Sequence, residues 1–356
     1  MVKVALSCCS ALYANELKRI SGDIPGRDIY FGCVDEPLPE IEEPEYNFRS
    51  CCLLAWAVAD MKSQIDAALS HYGRKRVAIV LGASNTGVDE AQRHIDVSLG
   101  RAPDADGKFP PEFRFSMLEL GAPSEYLAAA TCAEGPCYTI STACSSSAKA
   151  FPAARRLIEA GLCDAAIVGG VDGRCRFAMN GFHALGALAQ ERCRPLAEDR
   201  DGICLGEGVA LFLMERPDAV DWRGGEPVLF SGAGESSDAY HATAPDPEGR
   251  GAEAAMRAAL ADAGCAAAEV DYVNLHGTGT QANDAMEMKA VRRVFGDAQP
   301  IVESTKSRTG HCLRAAGAVE AAICWRRIRA GESRRAISNS FAFGGSNASI
   351  VIENMV

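Results

Sequence analysis

The stretch 136–150, PCYTISTACSSSAKA, decides how this chain is read. Its first half, CYTIST, is a short apolar and β-branched run of the kind that forms a buried strand. The next run, SSSAKAFPAARRLIEAGL (145–162), reads as a helix closed at Gly161. Cys144 therefore stands at a strand-to-helix junction. A thiol there faces the unpaired N–H groups and the positive end of the helix dipole, which favour the thiolate. The chain has fifteen cysteines, and most cysteines are small core residues, so Cys144 must be singled out by its surroundings. Pro152, eight residues on, deletes a backbone hydrogen bond and is expected to kink or break the helix that activates it.

Outward from this stretch, strand-length apolar runs alternate with helical patterns. RVAIVLGAS (76–84), DAAIVGGVD (164–172) and VALFLMER (209–216) are continuous apolar runs of the buried kind. After the Pro- and Gly-rich connection ERPDAVDWRGGEP (215–227) the theme repeats. PVLFSGAGE, VDYVNLH and PIVESTKS read as strands, AEAAMRAALADAG, NDAMEMKAVRRVFG and AAGAVEAAICWRRIRAG as helices. RAISNSFAFGGSNASIVIEN (335–354) closes as two strands around a Gly-Gly turn. The alternation implies an α/β protein with helix-covered sheets, in two pseudo-duplicated halves, 1–220 and 221–356.

Composition bounds the function. The 356 residues are 48% hydrophobic and 23% charged, enough for a substantial core. A net charge of −11 argues against nucleic-acid binding, which depends on neutralising phosphates. The longest apolar run, CCLLAWAVADM (51–61), is about half a membrane span and reads as a buried helix, and the N-terminus lacks a signal-peptide pattern. An odd cysteine count with adjacent pairs and no CxxC implies reduced thiols, a cytoplasmic location and no structural metal. Arg155-Arg156, Arg292-Arg293 and the arginines at 326, 327, 329, 334 and 335 are either solvated helix surface or a docking patch for a small acidic partner.

Reactive side chains collect at strand ends: Cys144, His276 at the end of VDYVNLH, His311 after STKSRTG, and the flexible turn Phe343-Gly344-Gly345. A thiol with two histidines can form a thioester and donate to a developing oxyanion. On residues alone, acyl transfer and buried structural side chains both remain open. GGVDG lacks the dinucleotide context, STKSRTG is no phosphate-binding loop, and no GxSxG elbow marks a serine hydrolase.

STACSSS, NLHGTGT, STKSRTGH with AAGAVE, and SNSFAFGGSN resemble the signature segments of β-ketoacyl–acyl-carrier-protein synthases with the thiolase fold. CRPLAEDRDGICLGEG (193–208) is similar to that family's loop before the end of its first half. Within the family, TISTACSSSAKA and GESSDAYHATAPDPEGRG are most similar to ketosynthases of aryl-polyene pathways. The resemblance implies a layered α-β-α-β-α architecture and a decarboxylative Claisen condensation between an acyl thioester and malonyl–acyl-carrier protein. It makes Cys144 the nucleophile, His276 and His311 the pair that holds the malonyl carbonyl, and Lys306 and Glu320 a supporting ion pair. Phe343 becomes oxyanion donor and gate, and Thr278 and Thr280 the hydroxyls that bind the phosphopantetheine arm. No metal or separate cofactor is implied, because substrates ride on the carrier protein. The partners implied are that carrier protein and a second copy or a second ketosynthase-like chain, with no nucleic acid and no membrane.

Asp284 and Glu287, at the start of a helix, read as structural. The alternatives are a non-catalytic chain-length-factor-like subunit, which typically loses the cysteine or a histidine, and a thiolase, which carries a second cysteine where this chain has FAFGGSNAS. Besides Pro152, the departures from the family pattern are Arg314 in place of a glycine and a short connection, RRIRAGESRR, before the last strands.

Overall fold

The computed structural model describes residues 3–101, 106–219 and 228–354. Among these, ten strands form one mixed sheet made of two halves with the same internal order. In the first half the chain lays down Val4–Tyr13, Val77–Gly82, Cys137–Ile140, Ala165–Asp172 and Gly208–Glu215. In space they run, from the centre outward, as first, fifth, fourth, second and third. Val228–Ser237, Tyr272–Asn274, Ile301–Glu303, Arg335–Phe341 and Ser346–Asn354 repeat that order in the second half. The two first strands meet in the middle, antiparallel, through Val4 opposite Phe230 and Ala5 opposite Leu229. The 220/221 boundary expected from sequence lies outside the described residues.

Successive side chains of a strand point to opposite faces, so each buried strand feeds two cores. Ala78 and Val80 face inward with Ala166, Val168, Ala210 and Phe212, where helices Ser146–Glu159 and Ala316–Arg329 pack together between the halves. Ile79, Leu81, Ile167 and Leu211 face outward onto Arg49–Asp60, Lys62–Tyr72 and Ala122–Thr131. Arg250–Ala263 and Gln281–Phe295 cover the other half in the same way. This is the five-layered arrangement, its strands bonded edge to edge into one sheet.

Three local expectations are corrected. The helix Ser146–Glu159 runs through Pro152 without interruption. Pro152 lies beyond the first turn, and Phe151 beside it is wedged against Phe212 and Phe230 at ring distances of 5.2 and 5.8 Å. That packing holds the helix against the lost hydrogen bond. The strands before the histidines are shorter than their apolar runs: Tyr272–Asn274 stops before His276, and Ile301–Glu303 gives way to a single helical turn, Lys306–Thr309. A separate three-stranded sheet, Lys18–Ile24, Arg27–Gly32 and Leu205–Gly206, was not legible in the sequence. Among the described residues no helix is long and apolar enough to cross a membrane.

Candidate active site

Cys144 is presented by a strained elbow. Strand Cys137–Ile140 ends, Ala143 adopts φ 53°, and the helix begins at Ser146. A positive φ costs any residue with a Cβ, so surrounding contacts must hold it. The serines supply them. Ser146 Oγ donates to the Ala143 carbonyl at 2.6 Å and accepts from Thr142 N–H at 2.8 Å, while Ser145 Oγ donates to the Thr142 carbonyl at 2.8 Å. The row that reads as a polar helix start is the stitching of the turn. Behind it, a Cβ on Gly82 would lie 2.3 Å from Ser147 N, so only glycine lets the helix start rest against the sheet.

His311 meets the thiol directly, its Nε2 3.1 Å from Cys144 Sγ. His276 stands edge-on to His311 with ring centroids 5.2 Å apart. All three are buried, and one donor atom from each falls within 4.8 Å of the others. Such a spacing would suit a soft divalent cation, but metal-binding imidazoles anchor their second nitrogen, whereas Nδ1 of both histidines has no hydrogen-bond partner. The set fits a nucleophile flanked by two imidazoles. It lines a cavity of about 150 Å³ whose walls also include Thr278, Thr280, Phe343 and Asn347.

The charges tune these groups in a consistent way. Burial, then the Lys306 ammonium, holds both imidazoles well below their ordinary pKa, so both are neutral at neutral pH. Lys306 donates to Glu320 in a fully buried ion pair, and burial raises that acid to about 7 against the pull of the lysine. The helix start does not leave Cys144 with a low pKa, as its placement implied. Burial raises the thiol, opposed by Arg314, by Lys306, and by the N–H groups of Phe343 and of Cys144 itself. Both N–H groups are directed at the sulfur. Phe343 sits over the cavity beside Phe182, 5.9 Å between rings, and is followed by two glycines at φ 85° and 77°.

Thr278 and Thr280 join their hydroxyls at 3.0 Å, and Thr280 Oγ1 also caps helix Gln281–Phe295 by accepting from Asn283 N–H. Glu287 and Asp284 set the histidine loop. Glu287 accepts from the His276 and Gly277 N–H groups, each at 2.8 Å, and from Asn339 Nδ2 at 3.2 Å. Asp284 accepts from Leu196 N–H at 2.9 Å and Gly279 N–H at 3.2 Å. Asp172 escaped the sequence reading. It is a buried carboxylate at the end of an apolar strand, accepting from the N–H groups of Ser84, Asn85 and Arg314 at 3.1, 2.9 and 2.8 Å. An acid ending a run such as AAIVGGVD was the available signal.

The arginine clusters are largely committed within the fold. Arg155 pairs with Asp262, Arg293 with Glu253, Arg326 donates to the Tyr13 hydroxyl, Arg327 pairs with Glu332, and Arg335 with Glu353. Arg292 and Arg334 of these clusters are exposed.

This chain belongs to the β-ketoacyl synthase family. Residues 58–219 match the profile described as β-ketoacyl synthase, N-terminal domain, and residues 229–337 the one described as β-ketoacyl synthase, C-terminal domain. A 3-oxoacyl-[acyl-carrier-protein] synthase 2 of Rhizobium meliloti (strain 1021) is 38% identical over 256 residues, 61% of each chain. Nodulation protein E of Rhizobium meliloti is 37% identical over 252 residues, 62% of each chain. The match thus spans about three-fifths of the length of these curated relatives. A chain of the complex between the ketosynthase ApeO and its chain length factor ApeC, from Xenorhabdus doucetiae, superposes with a TM-score of 0.91 at 37% identity, over 99% of this chain and 98% of that one.

Proposed function

We propose that this protein is a 3-oxoacyl–acyl-carrier-protein synthase. The observation that carries the proposal is the meeting of Cys144 Sγ with His311 Nε2 at 3.1 Å, beside His276, in the wall of a cavity. Cys144 attacks the thioester of an acyl–carrier protein, and the carrier's thiol leaves as the acyl group moves to sulfur. Malonyl–carrier protein then enters, its arm running past Thr278 and Thr280. The two neutral imidazoles donate to the malonyl thioester carbonyl and stabilise the enolate formed as CO2 departs. The carbanion attacks the acyl-Cys144 carbonyl, whose oxyanion is received by the N–H groups of Cys144 and Phe343. Collapse releases the thiol and the 3-oxoacyl product. Burial, with the Lys306 charge, keeps both imidazoles unprotonated, so they act as donors without becoming cations.

Similarity to the ApeO complex supports a role in aryl-polyene or related fatty-acid and polyketide synthesis, with a second ketosynthase-like chain or a second copy as partner. The open edge strand Cys137–Ile140, with Tyr138 exposed, offers the surface for that pairing. Retention of Cys144, His276 and His311 disfavours a purely non-catalytic subunit. Intact-protein mass spectrometry tests the reading: acyl–carrier protein should leave its acyl mass on the wild type and not on Cys144→Ala. A wild type that stays unmodified, alone and with its partner chain, refutes it.

A further inference from the structure

Outside the reaction centre, two thiols meet at the base of one surface loop. Cys193 and Cys204 are each 2% exposed and share a small cluster with Leu17 and Ala189. Eleven residues apart along the chain, they touch: the Cys193 N–H donates to Cys204 Sγ at 3.1 Å. Cys204 Sγ donates in turn to the Glu191 carbonyl at 3.4 Å, so it stays folded toward the segment that carries Cys193. Between them the chain runs out through Arg194, Leu196, Glu198, Asp199 and Asp201, all exposed. The pair thus sits in a satellite cluster under a loop, apart from the main cores. Both residues also hold the reaction centre. Cys193 Sγ donates to the Lys306 carbonyl at 3.3 Å, and the Cys204 carbonyl accepts the His311 N–H at 2.8 Å. Lys306 is the cation of the buried ion pair, and His311 is the imidazole against Cys144.

We propose that Cys193 and Cys204 are a redox-reactive dithiol: a hydroperoxide converts them to a disulfide that slows acyl transfer at Cys144 until a thiol reduces it. The effect on acyl transfer rests on the condensing-enzyme reading, and the disulfide itself does not. The Cys193 sulfur attacks one peroxide oxygen, the O–O bond breaks, and an alcohol or water leaves, which makes Cys193 a sulfenic acid. The Cys204 sulfur then displaces that hydroxyl as water, and the S–S bond forms. The dithiol has lost two electrons and two protons, and the peroxide has been reduced. Contact with the Cys204 thiol holds the Cys193 acid below its ordinary value despite burial, and the same contact pushes Cys204 up. Cys193 is therefore the attacking sulfur and Cys204 the resolving one. Forming the bond consumes the S–H that donates to the Lys306 carbonyl and draws Cys204 Sγ off the Glu191 carbonyl. The segment that anchors the His311 N–H is then pulled toward Cys193.

Hydrogen peroxide treatment of Cys144→Ala, which lacks the thiol of the reaction centre, tests the disulfide apart from any condensing activity. Trypsin cuts at Arg200, between the two cysteines. Mass spectrometry of the unreduced digest is expected to show the Cys193 and Cys204 peptides joined with the loss of two hydrogens, and parted again by dithiothreitol. With Cys144 present, brief peroxide exposure should slow its acylation severalfold more in the wild type than in Cys193→Ser or Cys204→Val, with recovery on reduction. Having two variants keeps the comparison intact if one fails to fold. Peptides that stay separate in peroxide, or that only gain oxygen, overturn the proposal. Equal loss of acylation in the wild type and the variants places the damage at Cys144 and overturns the switch. Joined peptides in a chain that never acylates uphold the dithiol and refute the condensing-enzyme reading instead.

Discussion

At Cys144 two influences oppose each other: burial penalises the thiolate, while Arg314, Lys306 and two aimed N–H groups favour it. A similar contest is visible at Glu287. Its carboxyl accepts three N–H donors, which favour the anion, yet full burial outweighs them and raises the acid to about 7. The unfolded carboxyl titrates near 4.5, so between these values the folded chain holds a proton that the unfolded chain has released. The resulting stability is fully present below pH 4.5 and is lost as pH rises through about 7. Glu287→Gln cannot titrate and also turns an amide N–H toward a backbone donor. It should lower the melting temperature most at the acidic end of that window, with the gap to wild type narrowing toward pH 7. Thermal unfolding at stepped pH checks this, and a constant gap would mean that Glu287 stays ionised throughout.

At the scale of elements, the site depends on one close approach, that of helix Ser146–Glu159 to the sheet. Gly82 and Gly170 make it feasible: a Cβ on the first would lie 2.3 Å from Ser147 N, and on the second 2.5 Å from Ser147 Cβ. Backbone cannot swing aside as a long side chain can, so Gly82→Ala must push the helix start off the strand. Overpacking of this kind costs about 1–3 kcal/mol. Displacing the elbow should in addition slow acylation of Cys144 by more than tenfold, since misplacement by about 1 Å can cost about a hundredfold in rate. Denaturant unfolding and single-turnover acyl transfer measure the two losses separately. If acylation survived with only stability reduced, the elbow would be positioned by its own serine stitching and not by the sheet.

Across the whole molecule, the halves are joined by more than their short strand pairing. Arg155, on the central helix of the first half, pairs with Asp262 of helix Arg250–Ala263 at 2.5 Å and stacks 5.0 Å over the Phe230 ring. Asp262 also accepts the Ala233 N–H at 2.8 Å. Both charged groups are buried, with side chains 2% and 4% exposed, so removing one partner strands the other. Arg155→Met should lower unfolding stability by about 3–5 kcal/mol, the usual cost of breaking a buried pair from one side. Urea titration followed by tryptophan fluorescence and by far-UV dichroism tests it. Coincident curves shifted to lower urea are expected, and separated curves would show that the halves fold independently once this tie is cut.

The sequence by itself determined the repeated strand–helix order and the reactive residues, because long apolar runs and short chemical motifs are local properties. The continuous runs 76–84, 164–172 and 209–216 all became buried strands, and Cys144, His276 and His311 were legible from motifs and strand ends. Pro152 misled because helix propensity is also local, whereas the packing of Phe151 between Phe212 and Phe230 joins residues far apart in the chain. Tertiary structure alone brought His311 to within 3.1 Å of a thiol 167 residues earlier. It also paired Arg155, Arg293, Arg327 and Arg335 with acids of the fold. Whether a charge is paired, and whether burial or a neighbouring ion controls a proton, depends on distance and dielectric through folded space, which order along the chain does not encode.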